Sequence, residues 1–159
     1  MLNPITSEKY VFFEQPAVVG HVYMQLHDGV GRLKKQTEDH NLVVNVGLAS
    51  MAARLHNDAE GKITHIAVGT GDTAPAGGQT GLVTEVNRQA ISGATVMTTL
   101  VTDDSVQYTA TFGPGQGTGA LKEAGLVTAT KMWCRVVYGE YNKEADDTLT
   151  ITWVVQIKN

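Results

Sequence analysis

Two glycine-rich runs are the residues in this chain best suited to chemistry. Gly69-Thr-Gly71-Asp-Thr-Ala74 and Gly115-Gln-Gly117-Thr-Gly-Ala120 both match the outline of a dinucleotide fingerprint, in which glycines bring the backbone close to a pyrophosphate seated on a helix N-terminus. That chemistry needs a helix directly after the glycines. Pro75, Gly77 and Gly78 deny one to the first run, the second run has the same defect, and neither carries the Gly-Lys-Ser/Thr of a phosphate-binding loop. The glycines are therefore expected to serve turns and close backbone contacts. Gly69, Gly71, Asp72, Pro75 and Pro114 are taken as loop positions at one end of the domain, open to a partner.

The remaining reactive side chains form no constellation along the sequence. Histidines stand at positions 21, 27, 40, 56 and 65, never at the short spacing of a zinc helix, and Cys134 is the single cysteine. Cys134 lies in Met132-Trp-Cys-Arg-Val-Val-Tyr138, where alternation would put it beside Met132, Val136 and Tyr138 as a core thiol. Asp103-Asp104 and Asp146-Asp147 each precede a strand pattern, where carboxylates favour turns by bonding nearby backbone amides. Neither pair has the repeat of a calcium loop. No serine sits in a Gly-x-Ser-x-Gly elbow. No catalytic residue, cofactor or metal site is expected.

The elements that hold these residues read as strands. Leu149, Ile151, Trp153, Val155 and Ile157 fall on one side of a period-two pattern, with Thr148, Thr150, Thr152, Gln156 and Lys158 on the other. Earlier strands are expected over 21–26 and 33–37, joined by the hairpin signal Asp28-Gly-Val-Gly31, with Asn41-Leu-Val-Val44 continuing that sheet. Others fall at 62–68, 89–92, 95–102, 105–112 and 132–140, with a further segment over 120–129; Leu82 to Arg88 fits either a short helix or a strand. One helix is expected, starting at Asn45, carrying Leu48, Met51, Ala52 and Leu55 as its apolar stripe and stopping at Asn57. Many short strands with a single helix predict a mainly β protein: an antiparallel, jelly-roll-like β-sandwich over residues 21–159. Residues 1–20 form an extended N-terminal arm, in which Tyr10, Phe12 and Phe13 are the anchors.

Composition narrows the function classes. The chain has 159 residues, 42% hydrophobic and 18% charged, with 17 glycines and a net charge of -4. One domain of this length buries enough surface to need no metal or disulfide. An acidic balance argues against a sequence-independent grip on nucleic acid, since Arg32, Lys34 and Lys35 are flanked by Asp28, Glu38 and Asp39. No signal-peptide pattern or apolar run of spanning length occurs. No membrane contact is expected, and the site of synthesis is taken as the cytoplasm.

Several segments, in order, resemble a family of small virion structural proteins of tailed bacteriophages, of the tail-fibre, minor-tail or head-associated type. They are Asn41 to Gly47 leading into the helix, Ile63-Thr-His-Ile-Ala-Val-Gly-Thr-Gly-Asp-Thr-Ala-Pro75, Leu82 to Arg88, Tyr108 to Phe112, Lys122 to Leu126, Arg135 to Tyr138 and Lys143 to Trp153. The resemblance implies a non-enzymatic particle component located in the virion, with itself and capsid, tail or collar proteins as partners. A fibre needs a long repetitive shaft, and this chain has none. A decoration or cement protein needs a rigid β body that assembles with copies of itself, here expected as a homo-oligomer and taken as a trimer, one of the simple closed symmetries, plus an arm that reaches a neighbour. A tail or collar adaptor is the second expectation. A carbohydrate-binding β-sandwich is the third, with Trp133 as its one candidate aromatic, set against the same tryptophan packing between sheets.

Overall fold

The computed structural model describes residues 17–56 and 60–158. Tyr10, Phe12, Phe13 and the helix stop at Asn57 lie outside the described residues. The strands are β1 (Ala17–His27), β2 (Leu33–His40), β3 (Leu42–Val43), β4 (His65–Gly69), β5 (Glu85–Ala90), β6 (Gly93–Met97), β7 (Ser105–Phe112), β8 (Gly119–Val127), β9 (Met132–Lys143) and β10 (Thr148–Lys158), and the helix is α1 (Asn45–His56). They build two five-stranded sheets, ordered β2-β1-β10-β7-β6 and β3-β9-β8-β4-β5. Every strand pair is antiparallel. The mainly β sandwich expected from the strand spacing is the fold.

The first described strand and the last one pair along their whole length, from Ala17 opposite Lys158 to His27 opposite Thr148. Residues 17–20 therefore belong to the sandwich and not to the arm. The core lies between the sheets, where Val22, Met24, Phe112, Leu149, Ile151 and Trp153 meet Ile66, Val68, Leu121, Leu126, Val136 and Tyr141. A smaller cluster of Val44, Ala67, Val127 and Met132, packed against Val46 and Leu82, covers the outer face of the second sheet. That sheet is buried on both sides at its centre, so its strands lose the clean alternation of half-exposed ones.

Two expectations fail at places where the chain leaves a regular pattern, and one segment left open is settled. Leu126 pairs with Cys134 but Val127 pairs with Met132, a register shift of the bulge type. The extra residue, Trp133, joins the main core, while Met132 turns to the outer cluster. Strict alternation across Met132 to Tyr138 thus breaks, and the candidate sugar-binding tryptophan is buried. Next, Leu42 and Val43 pair with Arg135 and Cys134 of β9 and leave the first sheet. Asn41 N still donates to Gly20 O at 3.2 Å, whereas Val44 N donates to Trp133 O at 3.0 Å, so the crossover between sheets happens within this short stretch. Lastly, the undecided segment before Arg88 is strand β5.

The helix is present but seats on a different side from the one its leucines marked. Gly47 and Ser50 are its buried residues, Met51 is half-buried, and Leu48 and Leu55 are exposed. A Cβ on Gly47 would lie 2.3 Å from Trp133 O, so the helix approaches the β9 backbone more closely than any side chain allows. Ser50 Oγ donates to Glu60 Oε1 at 3.0 Å, and Lys131 pairs with the same carboxylate oxygen. Small residues and one polar tie set the rotation of α1; Leu48, Ala52 and Leu55 of the expected stripe face outward while Met51 packs against the core.

Candidate functional site

Glu123 and Arg135 stand among apolar neighbours in β8 and β9 and are both fully buried. Strand pairing brings them together on the outer face of the second sheet, beneath the loop that leaves β4. Arg135 Nε donates to Glu123 Oε2 at 2.9 Å, and Nη2 lies 2.8 Å from the same oxygen. Glu123 then accepts three backbone amides of the loop: Gly71 at 3.1 Å, Val83 at 3.0 Å and Thr84 at 2.7 Å. Arg135 Nη1 donates to Thr73 O at 2.8 Å and to Gln79 Oε1 at 3.0 Å. The ion pair thus pins both ends of the loop spanning residues 70–84.

This geometry explains the first glycine run. A Cβ on Gly71 would fall 2.6 Å from Glu123 Oε1, and one on Gly69 would fall 2.3 Å from Thr84 O and 2.6 Å from that carboxylate oxygen. Glycine permits the backbone to close on a carboxylate as it would close on a phosphate. The anion in this site is the protein's own. Gly69 and Gly71 are consequently buried rather than available for contact, whereas Asp72 is exposed and Pro75 half-buried.

The second glycine run lies at the same end of the sandwich. Gly117 has a φ of 61°, and a Cβ there would meet Val68 Cγ2 at 3.1 Å. Pro114 is exposed beside it. Lys143, buried on β9, donates to Gly113 O at 2.9 Å and so fixes the start of this loop. Burial pulls the Lys143 ammonium below the usual lysine range, partly offset by Asp147. Asp147 in turn accepts Glu144 N at 2.9 Å and Lys34 Nζ at 2.7 Å. That is the turn role expected of the carboxylate pair.

Asp104 organises the opposite end. Its carboxylate accepts the amides of Thr99 at 2.8 Å, Leu100 at 3.1 Å and Val101 at 3.2 Å, and the Gln156 side chain at 2.8 Å. Burial alone would raise its pKa, but the Gln156, Thr99 and Leu100 hydrogen bonds outweigh this and hold it well below the ordinary carboxylate value. With a depressed folded value, the group contributes stability that is fully present above the unfolded value and lost as pH falls toward the folded one. The thermal-stability gap between wild type and Asp104→Asn is expected to be full at neutral pH and to shrink below the ordinary value of 3.8. A gap that stays constant from neutrality to strong acid would show that the charge on Asp104 is irrelevant.

The loop held by Asp104 presents an apolar end to solvent. Leu100 is 76% exposed, Val101 62% and Ile157 65%. The expected inner face of the last strand is buried at Leu149, Ile151 and Trp153, half-buried at Val155 and exposed at Ile157. Meanwhile Gln156, expected on the other side, is buried, as is Val154. Beside Ile157 an apolar groove of about 150 Å³ opens between the sheets, floored by Val18, Met51, Ile63, Tyr108, Trp133 and Val155.

The other side chains singled out by chemistry are placed in the scaffold. Cys134 is buried in the core, where burial pushes its thiol up to about 12, so almost no thiolate exists near neutrality. His65 Nδ1 lies 2.9 Å from Thr64 Oγ1, and His21 Nδ1 lies 3.2 Å from Glu38 Oε1. Among the described residues no cluster of three or more His, Cys, Asp or Glu has the geometry of a metal site. No described helix is long and apolar enough to cross a membrane. Glu123, Arg135 and Lys143 were not singled out by sequence, and Asp104 was read only as a turn carboxylate; for Glu123 and Arg135 the available signal was a charged residue among the apolar positions of a strand. Comparison with protein-family models, with curated proteins and with solved structures finds no match.

Proposed function

We propose that this chain is a non-enzymatic structural component of a tailed-bacteriophage virion, a capsid decoration or cement protein that binds the particle exterior as a homo-oligomer. The carrying observation is the exposed apolar end made by Leu100, Val101 and Ile157, adjoining the place where the described chain begins. Scattered exposed apolar residues are ordinary, but a contiguous set beside a groove marks a contact surface. The buried polar groups support the same reading: Glu123, Arg135, Lys143 and Asp104 spend their hydrogen bonds on the protein's own loops. A body stiffened in this way suits a role in holding neighbours in register. The resemblance across residues 41–153 supplies the phage context.

The test is the copy number per particle, read by quantitative mass spectrometry of purified virions, together with rebinding of a chain lacking residues 1–15. Hundreds of copies and weakened rebinding with an unchanged melting temperature are expected. A dozen copies or fewer would move the protein to the collar or tail, and absence from the particle would end the virion reading altogether.

A further inference from the structure

We propose that the outer face of the first sheet carries a binding site for a neutral saccharide, in a cleft where His21, Tyr23, Gln107 and Gln156 converge. The inference goes beyond the particle role above and does not depend on it. Three observations carry it.

The first is the register of the sheet. Val22 and Trp153 point into the core, so His21, Tyr23 and Val154 lie on the opposite face. His21 stands opposite Val154, and Val154 opposite Gln107, which makes one row across β1, β10 and β7. Two strand spacings put His21 and Gln107 roughly 10 Å apart, with Val154 as an apolar floor between them and room for one sugar ring. Tyr23 and Gln156 stand one step to either side of this row. Met97 and Thr99 close the cleft at the β6 edge, and its volume is about 460 Å³, the size of a small-ligand site.

The second is a set of hydrogen-bonding groups already fixed in place. Gln156 is only 7% exposed, and its Nε2 donates to Asp104 Oδ2 at 2.8 Å. The amides of Thr99, Leu100 and Val101 hold that carboxylate in turn, so the Gln156 amide keeps one orientation. Asp104 does not border the cleft, and Gln156 Oε1 accepts no hydrogen bond from any described residue. His21 is fixed likewise: Nδ1 lies 3.2 Å from Glu38 Oε1, and the ring packs edge-on against His40 at 4.5 Å between centroids. With Nδ1 turned to a carboxylate, the neutral ring offers Nε2 as an acceptor. Gln107 is half-buried, and its side-chain amide has no partner among the described residues. Two fixed acceptors and one free amide call for a ligand that brings hydroxyl donors.

The third is charge and surface. No Lys or Arg borders the cleft. The two carboxylates nearest to it are engaged, Glu38 by His21 and Asp104 by the loop amides. No charge in the cleft awaits a counter-ion, which argues against a phosphate or a nucleic acid. Tyr23 is 41% exposed and, with Met97 and Val154, supplies the apolar surface. A sugar ring combines a face of C–H groups with a rim of hydroxyls, and so matches an aromatic ring beside uncharged hydrogen-bonding groups. A hydrocarbon chain in the same place would leave Gln156 Oε1 and His21 Nε2 without partners.

The test applies the purified full chain to an array of immobilised neutral oligosaccharides of glucose, galactose, mannose and N-acetylglucosamine, with sialylated and sulfated ones alongside, followed by calorimetric titration with the free sugar that is retained. Binding to neutral glycans is expected. Tyr23→Ala should weaken it about tenfold or more through the lost ring face, and Gln107→Ala about threefold to tenfold through a lost hydrogen bond. Tyr23→Phe keeps the ring and should keep most of the affinity. Leu55→Ala, at an exposed position on the helix, should change nothing. Gln107 bonds to no described residue, so its variant carries the test if loss of Tyr23 disturbs β1. Retention of no neutral glycan, retention of anionic ones alone, or an affinity that both Tyr23→Ala and Gln107→Ala leave intact would overturn the proposal. Particle binding is scored separately, so failure here leaves the virion reading where it stood.

Discussion

Arg135→Ala is expected to lower the stability of the folded chain by about 3–5 kcal/mol, because it leaves the Glu123 carboxylate buried without its counter-charge. For a chain of this size that corresponds to a melting temperature lower by roughly 6–20 °C. The loss is not confined to the pair. Arg135 also holds Thr73 O and Gln79 Oε1, and Glu123 holds the amides of Gly71, Val83 and Thr84. A buried ion pair replaced by two apolar residues of similar volume is often neutral. Here the double replacement Glu123→Leu with Arg135→Leu should remain destabilised, since it strands the buried Gly71 amide and takes the carboxylate away from those of Val83 and Thr84. Thermal unfolding of the three variants, with hydrogen exchange at Gly71, Val83 and Thr84, separates these effects. Recovery of wild-type stability in the double variant would mean that the loop does not depend on the carboxylate.

Trp153→Ala carries an expected cost of similar size, about 3–5 kcal/mol, because Trp153 is a fully buried aromatic at the centre of the core. Its indole Nε1 donates to Asn41 Oδ1 at 2.8 Å, so truncation also removes the partner of a buried acceptor. The same contact dictates the residue at position 20, where a Cβ would sit 1.6 Å from Asn41 Oδ1. Gly20→Ala should therefore displace Asn41 and release the indole, giving part of the tryptophan effect from a different strand. Near-ultraviolet circular dichroism and chemical denaturation read both. Because the two residues share Asn41, their losses should not add; full additivity would break the proposed connection between β1, the crossover at Asn41 and β10.

The two effects also separate roles within the sandwich. Trp153 belongs to the interface between sheets, whereas Arg135 belongs to the face on which the long loop lies. Damage at Arg135 should loosen residues 70–84 first, and damage at Trp153 should loosen the whole body. Neither site touches the apolar end at Leu100, Val101 and Ile157. Variants in that end are expected to leave melting unchanged and to alter association alone.

Strand content and the single helix were legible from period and punctuation, since alternating apolar residues separated by Gly, Asp and Asn leave few other folds open. Failures cluster where one residue breaks the repeat. The bulge at Trp133 reversed the faces predicted for Met132 and Trp133, and no local pattern announces a bulge whose cause is the partner strand. The rotation of α1 was missed for a related reason: the leucine stripe marks where burial would be most favourable, but Gly47 and Ser50 mark where the backbone can approach β9.

Local sequence alone determined the alternation of Thr148 to Trp153, the hairpin at Asp28 to Gly31 and the start of the helix near Asn45, because those depend on neighbours a few residues away. Tertiary structure alone decided that Glu123 meets Arg135 and that the glycines before Asp72 close on a carboxylate of the same chain. It also decided that the last strand outruns the sandwich at Ile157. Each of these joins segments many residues apart, and the side chains that meet are chosen by the stacking of two sheets, which no period in a single strand encodes.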